Sequence, residues 1–262
     1  MNKKSMFKDG ANKNLIHPKL GLIIGIVAVI VGILIFISTK KNGGIVGLGN
    51  SEVDKYNIQI NADENIDVKA YITNDDKTLT VYIKNKNKFH LANPDIEMKF
   101  YDEKGEEISW DMGSVSMIFT NGEYVTRTSL PRNENNQHYI PYKTVINVKI
   151  DKSMQELYES GNTTHDESCK TNFIETSYKI EKDQIISTIK NKSDVKIDSI
   201  SAIHFLFIKN NKIIWHEFER AEDNYIVAQD STTVKIDIPT DKSLEFIEFD
   251  SLKIVVNEAS VY

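Results

Sequence analysis

Side chains able to do acid–base, nucleophilic or metal chemistry are scattered along this chain. The six histidines, His17, His90, His138, His165, His204 and His216, form no His-x-x-x-His pair, and a single cysteine, Cys169, rules out Cys-x-x-Cys. A zinc ion needs several ligands in fixed geometry, so this spacing gives it no support. His216-Glu217-Phe218-Glu219 places His216 and Phe218 on one strand face and both glutamates on the other, which reads as a solvated strand edge. His165, Asp166, Glu167 and Cys169 form at most a loose ligand set in a polar stretch. Asp63, Asp67, Asp75 and Asp76 fall near expected turns and lack the ordered spacing of a calcium loop. Met112-Gly113-Ser114-Val115-Ser116 lacks the second glycine of a nucleophile elbow, and Gly47-Leu48-Gly49 stands in a linker instead of between a strand and a helix. The expectation is therefore a protein that is not an enzyme, with no catalytic, metal-binding or cofactor-binding residues and no cofactor.

The elements that position these residues begin with an apolar run. Leu20 to Ile37 holds 18 apolar residues and glycines between Lys19 and Lys40. At about 1.5 Å per residue it covers roughly 27 Å, close to the hydrocarbon thickness of a bilayer. The expectation is a transmembrane helix over residues 20–39. Lys3, Lys4, Lys8, Lys13 and Lys19 precede it, whereas only Lys40 and Lys41 follow closely, so the N-terminal tail is expected in the cytoplasm and the rest outside. The run exceeds the apolar length of a cleavable signal, and Phe36-Ile37-Ser38-Thr39 is no cleavage site, which favours a retained single-pass anchor. Gly21, Gly25, Ala28 and Gly32 share one helix face, a small-residue stripe suited to homodimerisation in the membrane.

Charge is divided unevenly. The formal net charge is −6, but residues 1–41 carry seven lysines and one aspartate, leaving 25 basic against 37 acidic residues, or −12, in the remainder. A region this acidic is a poor phosphate binder, so no nucleic-acid partner is expected. Arginine occurs only at positions 127, 132 and 220; lysine otherwise replaces it, and Asn and Ile are abundant, a composition that points to a bacterial surface protein. One cysteine excludes an internal disulfide, so the exported part must be held by core packing, with Cys169 a free thiol in a linker.

That exported part reads as a duplication. Ile83-Lys84-Asn85-Lys86-Asn87 recurs as Ile189-Lys190-Asn191-Lys192-Ser193, 106 residues on. At similar offsets Val68 aligns with Ile174, Ile72 with Tyr178, Leu79 with Ile185, Phe100 with Phe207, Ile108-Ser109-Trp110 with Ile213-Ile214-Trp215, and Val145 with Leu252. A repeat of about 100 residues is a whole domain. Alternating apolar residues mark strands at Thr78–Ile83, Ile96–Phe100, Tyr124–Thr126 and Val145–Ile150, and again at Ile185–Ile189, Ile203–Ile208, Ile213–Trp215, Thr232–Ile238 and Leu252–Val256. Val115, Met117 and Phe119 also alternate, and Asn121-Gly122 after them signals a two-residue hairpin. Lys209-Asn210-Asn211 marks another turn, and both tryptophans are expected in the cores.

Met98-Lys99-Phe100-Tyr101-Asp102, followed by Lys104-Gly105, resembles the signature of FxLyD-type domains, small extracellular β-sandwiches of bacterial surfaces. Met98 replaces the family's Phe. Phe205-Leu206-Phe207-Ile208-Lys209 keeps the Phe and loses the Tyr-Asp, while Asn85 and Asn191 look like the family's Asn after its early strand. The resemblance covers about residues 66–151 and 172–258. It implies a fold and a surface location, and no active site.

The expected fold is mainly β: one N-terminal transmembrane helix followed by two tandem immunoglobulin-like antiparallel β-sandwich domains. The map is a basic cytoplasmic tail at 1–19, the span at 20–39, a flexible linker at 40–51 with four glycines, a first sandwich at 52–151, a linker at 152–171 with a helical turn at Ser153–Tyr158, and a second sandwich at 172–262. Expected partners are membrane lipid, through the span, and a protein or envelope component. A spacer or assembly subunit is the alternative function, and an exported enzyme the least favoured.

Overall fold

The computed structural model describes residues 55–161, 169–221 and 225–261, all within one compact unit, Val46–Tyr262. The basic tail, the span with Gly21, Gly25, Ala28 and Gly32, and the linker at 40–51 lie outside the described residues. Among the described residues no helix is long and apolar enough to cross a membrane. The fold is mainly β.

Strands β1 (Ile58–Ala62), β2 (Ile66–Thr73), β3 (Thr78–Asn85), β4 (Leu91–Ala92), β5 (Asp95–Tyr101), β6 (Glu107–Gly113), β7 (Met117–Ile118), β8 (Glu123–Ser129) and β9 (Lys143–Lys149) build the N-terminal half. They form a sheet β1-β9-β5-β6, a sheet β2-β3-β8 and a short pair β4-β7. β1 runs parallel to β9, and the other pairs are antiparallel. Leu79, Val81 and Ile83 of β3 meet Ile96, Met98 and Phe100 of β5 and Ile146 and Val148 of β9 in one core between the two larger sheets. Alternation drives this arrangement, since every second side chain of a strand shares a face.

The C-terminal half repeats the plan with β10 (Ile174–Glu181), β11 (Gln184–Asn191), β12 (Ser199–Lys209), β13 (Lys212–Glu219), β14 (Ser231–Asp237) and β15 (Ser251–Ser260). Its sheets are β10-β11-β14 and β13-β12-β15. Ile185 and Ile189 pack there against Ile203, Phe205, Phe207, Val234 and Val256. The Asn210-Asn211 turn forms as its sequence signals, with both residues at positive φ.

One polar side chain is used identically in both cores. Buried Asn85 donates through Nδ2 to the carbonyls of Phe89, Ile118 and Phe119 at 2.8–3.1 Å and accepts from the Asn87 N–H at 2.9 Å. Asn191 donates to Val195, Ile226 and Val227 at 2.8–3.2 Å and accepts from the Ser193 N–H at 2.8 Å. Each amide thereby ties loop carbonyls to its own strand, beside backbone donors such as the Gly122 N–H on Phe119 and the Ile197 N–H on Ile226.

The registers correct the repeat alignment. Ile66 pairs with Asn85 as Ile174 pairs with Asn191, so the first strands are offset by 108 and Ile66, not Val68, is the counterpart of Ile174. Both β5–β6 and β12–β13 shift register beyond Phe100 and Phe207. Phe100 pairs with Ser109 and Phe207 with Trp215, whereas Lys99 pairs with Trp110 and Leu206 with His216. Trp110 is therefore the counterpart of His216 and not of Trp215. A one-residue slip reverses the face of a side chain: Trp215 packs against its core, while Trp110 is 60% exposed. On β15, Leu252 corresponds to Thr144 in the same way, one residue from Val145.

Two further expectations change. Asn121-Gly122 makes a tight turn, with the Gly122 N–H on the Phe119 carbonyl at 2.8 Å, but β7 and β8 on either side belong to different sheets, so no hairpin forms. A Cβ at Gly122 would lie 2.8 Å from that carbonyl oxygen, which is why glycine stands there. The helical turn expected at Ser153–Tyr158 is a longer helix, α1 (Lys152–Glu159), capped by the Asp151 carboxylate, and its Gln155 accepts from the Ala92 N–H at 3.2 Å. Cys169 is a free thiol, as expected, and packs in a small cluster with Met117 and Phe119.

Candidate functional site

The two halves meet through sheet faces that point away from their own cores. Tyr71 of β2, Tyr82 of β3 and Val125 of β8 pack on Leu206 and Ile208 of β12, Ile213 of β13 and Val255 of β15. These side chains occupy the strand positions between the core-facing ones, so each sheet is apolar on both faces here, as a doubly covered sheet must be.

A polar relay crosses this apolar seam. Asn257 of β15 makes reciprocal bonds with the Val125 backbone, accepting its N–H at 3.0 Å and donating to its carbonyl at 2.6 Å, which fixes the amide orientation. Its Nδ2 also lies 2.7 Å from His204 Nε2, so Nε2 is the acceptor and His204 carries its proton on Nδ1. Nδ1 donates to His216 Nε2 at 2.7 Å. His216 then donates from Nδ1 to the Thr80 hydroxyl at 3.0 Å, and Thr80 donates to Thr73 Oγ1 at 2.9 Å. The relay runs one way from Asn257 to Thr73, with both imidazoles neutral.

Around it, Asn74 accepts the His216 N–H at 2.9 Å and donates to the His216 carbonyl, which Arg127 Nη1 also reaches at 2.9 Å. Lys253 donates to Glu123 at 2.8 Å and to the Tyr82 hydroxyl at 3.1 Å. Burial holds His204 down at about 3, with the Arg127 cation adding to the effect. Burial likewise holds His216 well below the ordinary histidine range, helped by His204 and Arg127. Burial raises the Tyr82 hydroxyl above its ordinary value, and Glu123 beside it adds to this. Desolvation lowers Lys253 against the opposing pull of Glu123.

The counterpart of the His204 face in the N-terminal half is open. Glu97, Lys99, Tyr101, Asn147 and Trp110 stand there at the positions of His204, Leu206, Ile208, Val255 and His216. Trp110 and Met112 are 60% and 54% exposed on the edge strand β6. Lys99 bridges Glu97 at 2.9 Å, and Asn147 donates to Glu97 at 2.9 Å. The Lys99 hydrogen bond, followed by that of Asn147, holds the Glu97 carboxyl below the usual carboxylate range.

The structure brings His204 and His216 together and keeps the other described histidines apart. His90 bonds Thr120, and His138 the Leu130 carbonyl. His216 is fully buried, so the reading of its segment as a solvated edge fails. The available signal was that His204, between Ile203 and Phe205, and His216 lie on strands joined by one turn, which sets them across the hairpin within two positions. Asp63 and Asp67 serve turns and pairing: Asp63 accepts the Ile150 N–H at 2.7 Å, and Asp67 pairs with Lys86 at 2.9 Å. Among the described residues no group of three His, Cys, Asp or Glu side chains is placed to hold a metal ion. A cleft of about 320 Å³ opens beside the seam between Phe119, Asn172, Thr176 and Val256; Glu123, its one ionisable side chain, is neutralised by Lys253.

No family model matches the chain, and no curated protein matches it. Solved structures with some likeness include a transglutaminase of red sea bream, at 7% identity and a TM-score of 0.22, covering 73% of this chain and 31% of that one. Another is the CsuC–CsuE chaperone–tip adhesion subunit pre-assembly complex of Csu pili from Acinetobacter baumannii, at 13% identity and a TM-score of 0.16, covering 77% and 94%. The chain thus spans about a third of the transglutaminase.

Proposed function

We propose that the chain is a single-pass, membrane-anchored extracytoplasmic protein whose two halves are immunoglobulin-like sandwiches of FxLyD type, and that it binds another protein of the cell envelope. The apolar run at 20–37 and the lysine asymmetry around it support the anchor and its orientation. The Tyr101-Asp102 resemblance gains a physical reason: Asp102 Oδ1 accepts the N–H groups of Lys104 and Glu106, both at 2.9 Å, and Gly105 supplies the positive φ of that turn.

The observation that carries the binding role is the exposed Trp110–Met112 face. Its counterpart in the other half is an occupied sheet-to-sheet interface, so the partner is read as a protein offering a three-stranded sheet face with apolar side chains opposite Trp110 and Met112. A second copy of this chain fits poorly: the free face of β10-β11-β14 has Lys179, Thr188 and Thr233 where the buried one has Tyr71, Tyr82 and Val125, so stacking would bring Lys179 towards Lys99.

A photocrosslinking residue placed at Trp110 in intact cells tests this reading. It should give one dominant adduct whose crosslinked peptide lies on a β-strand of another envelope protein, while the same residue at Thr233 gives none. Absence of an adduct at position 110, or equal yields at both, would overturn it. Protease added to intact cells should remove the region beyond the anchor; full protection would reverse the orientation.

A further inference from the structure

We propose that the seam between the two halves is an acid-released latch, in which protonation of the His204–His216 pair separates the halves while each keeps its own core. The geometry leaves an added proton no site. The two imidazole lone pairs, Nε2 of His204 and Nε2 of His216, already accept N–H groups at 2.7 Å from Asn257 and His204. Protonating either nitrogen sets two donors face to face at that distance, so the relay must break for an imidazolium to form.

Nothing at the seam compensates the new charge. The ionisable side chains on the strand faces packed against the pair are Asp67, Lys69 and Tyr71 from β2, Tyr82 and Lys84 from β3, Glu123 and Arg127 from β8, and Lys253 from β15, and Asp67 is already paired with Lys86 at 2.9 Å. Glu123 is engaged by Lys253 at 2.7 Å and by Lys84 at 3.7 Å. Glu217 and Glu219 alternate to the other face of β13, opposite Phe205 and Ile203. An imidazolium would thus stand beside Arg127 in a desolvated seam, a costly arrangement.

The two cores are separate from this switch. They are made of different residues from the seam cluster and contain no histidine. Both histidines titrate well below their ordinary value when the halves are closed, and burial is the main cause. In the open state they return towards 6.5, so closure is fully stabilised above that pH and weakens as the pH falls towards 3. Each pH unit in this window shifts the equilibrium towards the open form by up to about ten-fold per histidine.

Hydroxyl-radical footprinting of the full chain in detergent micelles, at pH 7.5 and pH 4.5, reads the latch directly. Oxidation of Tyr71, Tyr82 and Leu206 should rise about ten-fold or more at the lower pH, while Phe100 and Phe207 in the cores stay protected. A seam that stays protected, or cores exposed in parallel with it, would overturn the proposal. The H204Q/H216Q double variant retains a donor and an acceptor at each position without a titrating ring, and it should remain closed at pH 4.5; opening as readily as the wild type would count against the pair as the sensor. Exchange of the histidine ring Cε1 protons in the wild type, followed by mass spectrometry, needs no variant. Midpoints for His204 and His216 well below 6.5 are expected, and a midpoint near 6.5 for either contradicts the latch.

Discussion

In the C-terminal half, the outer face of β13-β12-β15 carries Leu206, Ile208, His216 and Val255, whereas the N-terminal half has Lys99, Tyr101, Trp110 and Asn147 at the same strand positions. The other sheet shows the reverse. Tyr71, Tyr82 and Val125 line the buried face of β2-β3-β8, and Lys179, Thr188 and Thr233 replace them on the bare face of β10-β11-β14. The cores of the two halves stay alike while the outer faces diverge. A face-to-face contact between unlike surfaces of a repeated unit can in principle continue indefinitely.

Several substitutions would break this comparison, the core clamps most severely. Asn85→Leu and Asn191→Leu each remove three donor contacts and leave the buried Asn87 or Ser193 N–H without its acceptor, and each should cost roughly 3 kcal/mol or more in thermal or denaturant unfolding. Similar losses in the two halves would confirm that the clamps are equivalent; a neutral result at either would break the equivalence. Leu206→Ala opens a cavity in the seam and should cost about 2–4 kcal/mol, whereas Lys99→Ala, its counterpart on the bare face, should stay within about 0.5 kcal/mol.

Acid should act next. Because both seam histidines have depressed values in the folded chain, stability should fall as pH drops below about 6.5, with a slope of up to ~1.4 kcal/mol per pH unit for each. Urea midpoints measured from pH 7.5 to 4.5 would show this slope in the wild type and a flatter line in H204Q/H216Q. The smallest effect on stability belongs to Trp110→Ala, within about 0.5 kcal/mol because the ring is mostly in solvent. With the photocrosslinking residue moved to Met112, the same variant should abolish the adduct, separating a binding role from a structural one.

The mainly β character and many strands were legible because alternation and turn chemistry are local. Leu79-Val81-Ile83 and the Asn210-Asn211 turn needed no tertiary knowledge. The repeat was legible too, since Asn85 and Asn191 do the same buried work and their surroundings recur. Face assignment was not legible past the bulge: both halves carry the same extra residue, Ile108 and Ile214, but Trp110 lies two residues beyond it and Trp215 one, so they point to opposite faces though each follows a tight turn in the sequence. The seam escaped for another reason. His216 between Trp215 and Glu217 looks solvated in isolation, and only the packing of Thr80 and Asn74 from 136 and 142 residues away buries it. Tyr71 and Tyr82 gave the remaining hint, as aromatic residues on the face of a strand whose opposite face is already apolar.

The central claim is that unlike faces of two like halves lock into one cooperative body. Urea unfolding of the full chain carrying Trp110→Phe in detergent micelles at pH 7.5 tests it most directly, with Trp215 fluorescence reporting the C-terminal half and far-ultraviolet circular dichroism reporting both. Locked halves give coincident curves with one midpoint. A fluorescence transition displaced from the dichroism curve at neutral pH would mean that the halves unfold independently, and the seam would then be contact without coupling.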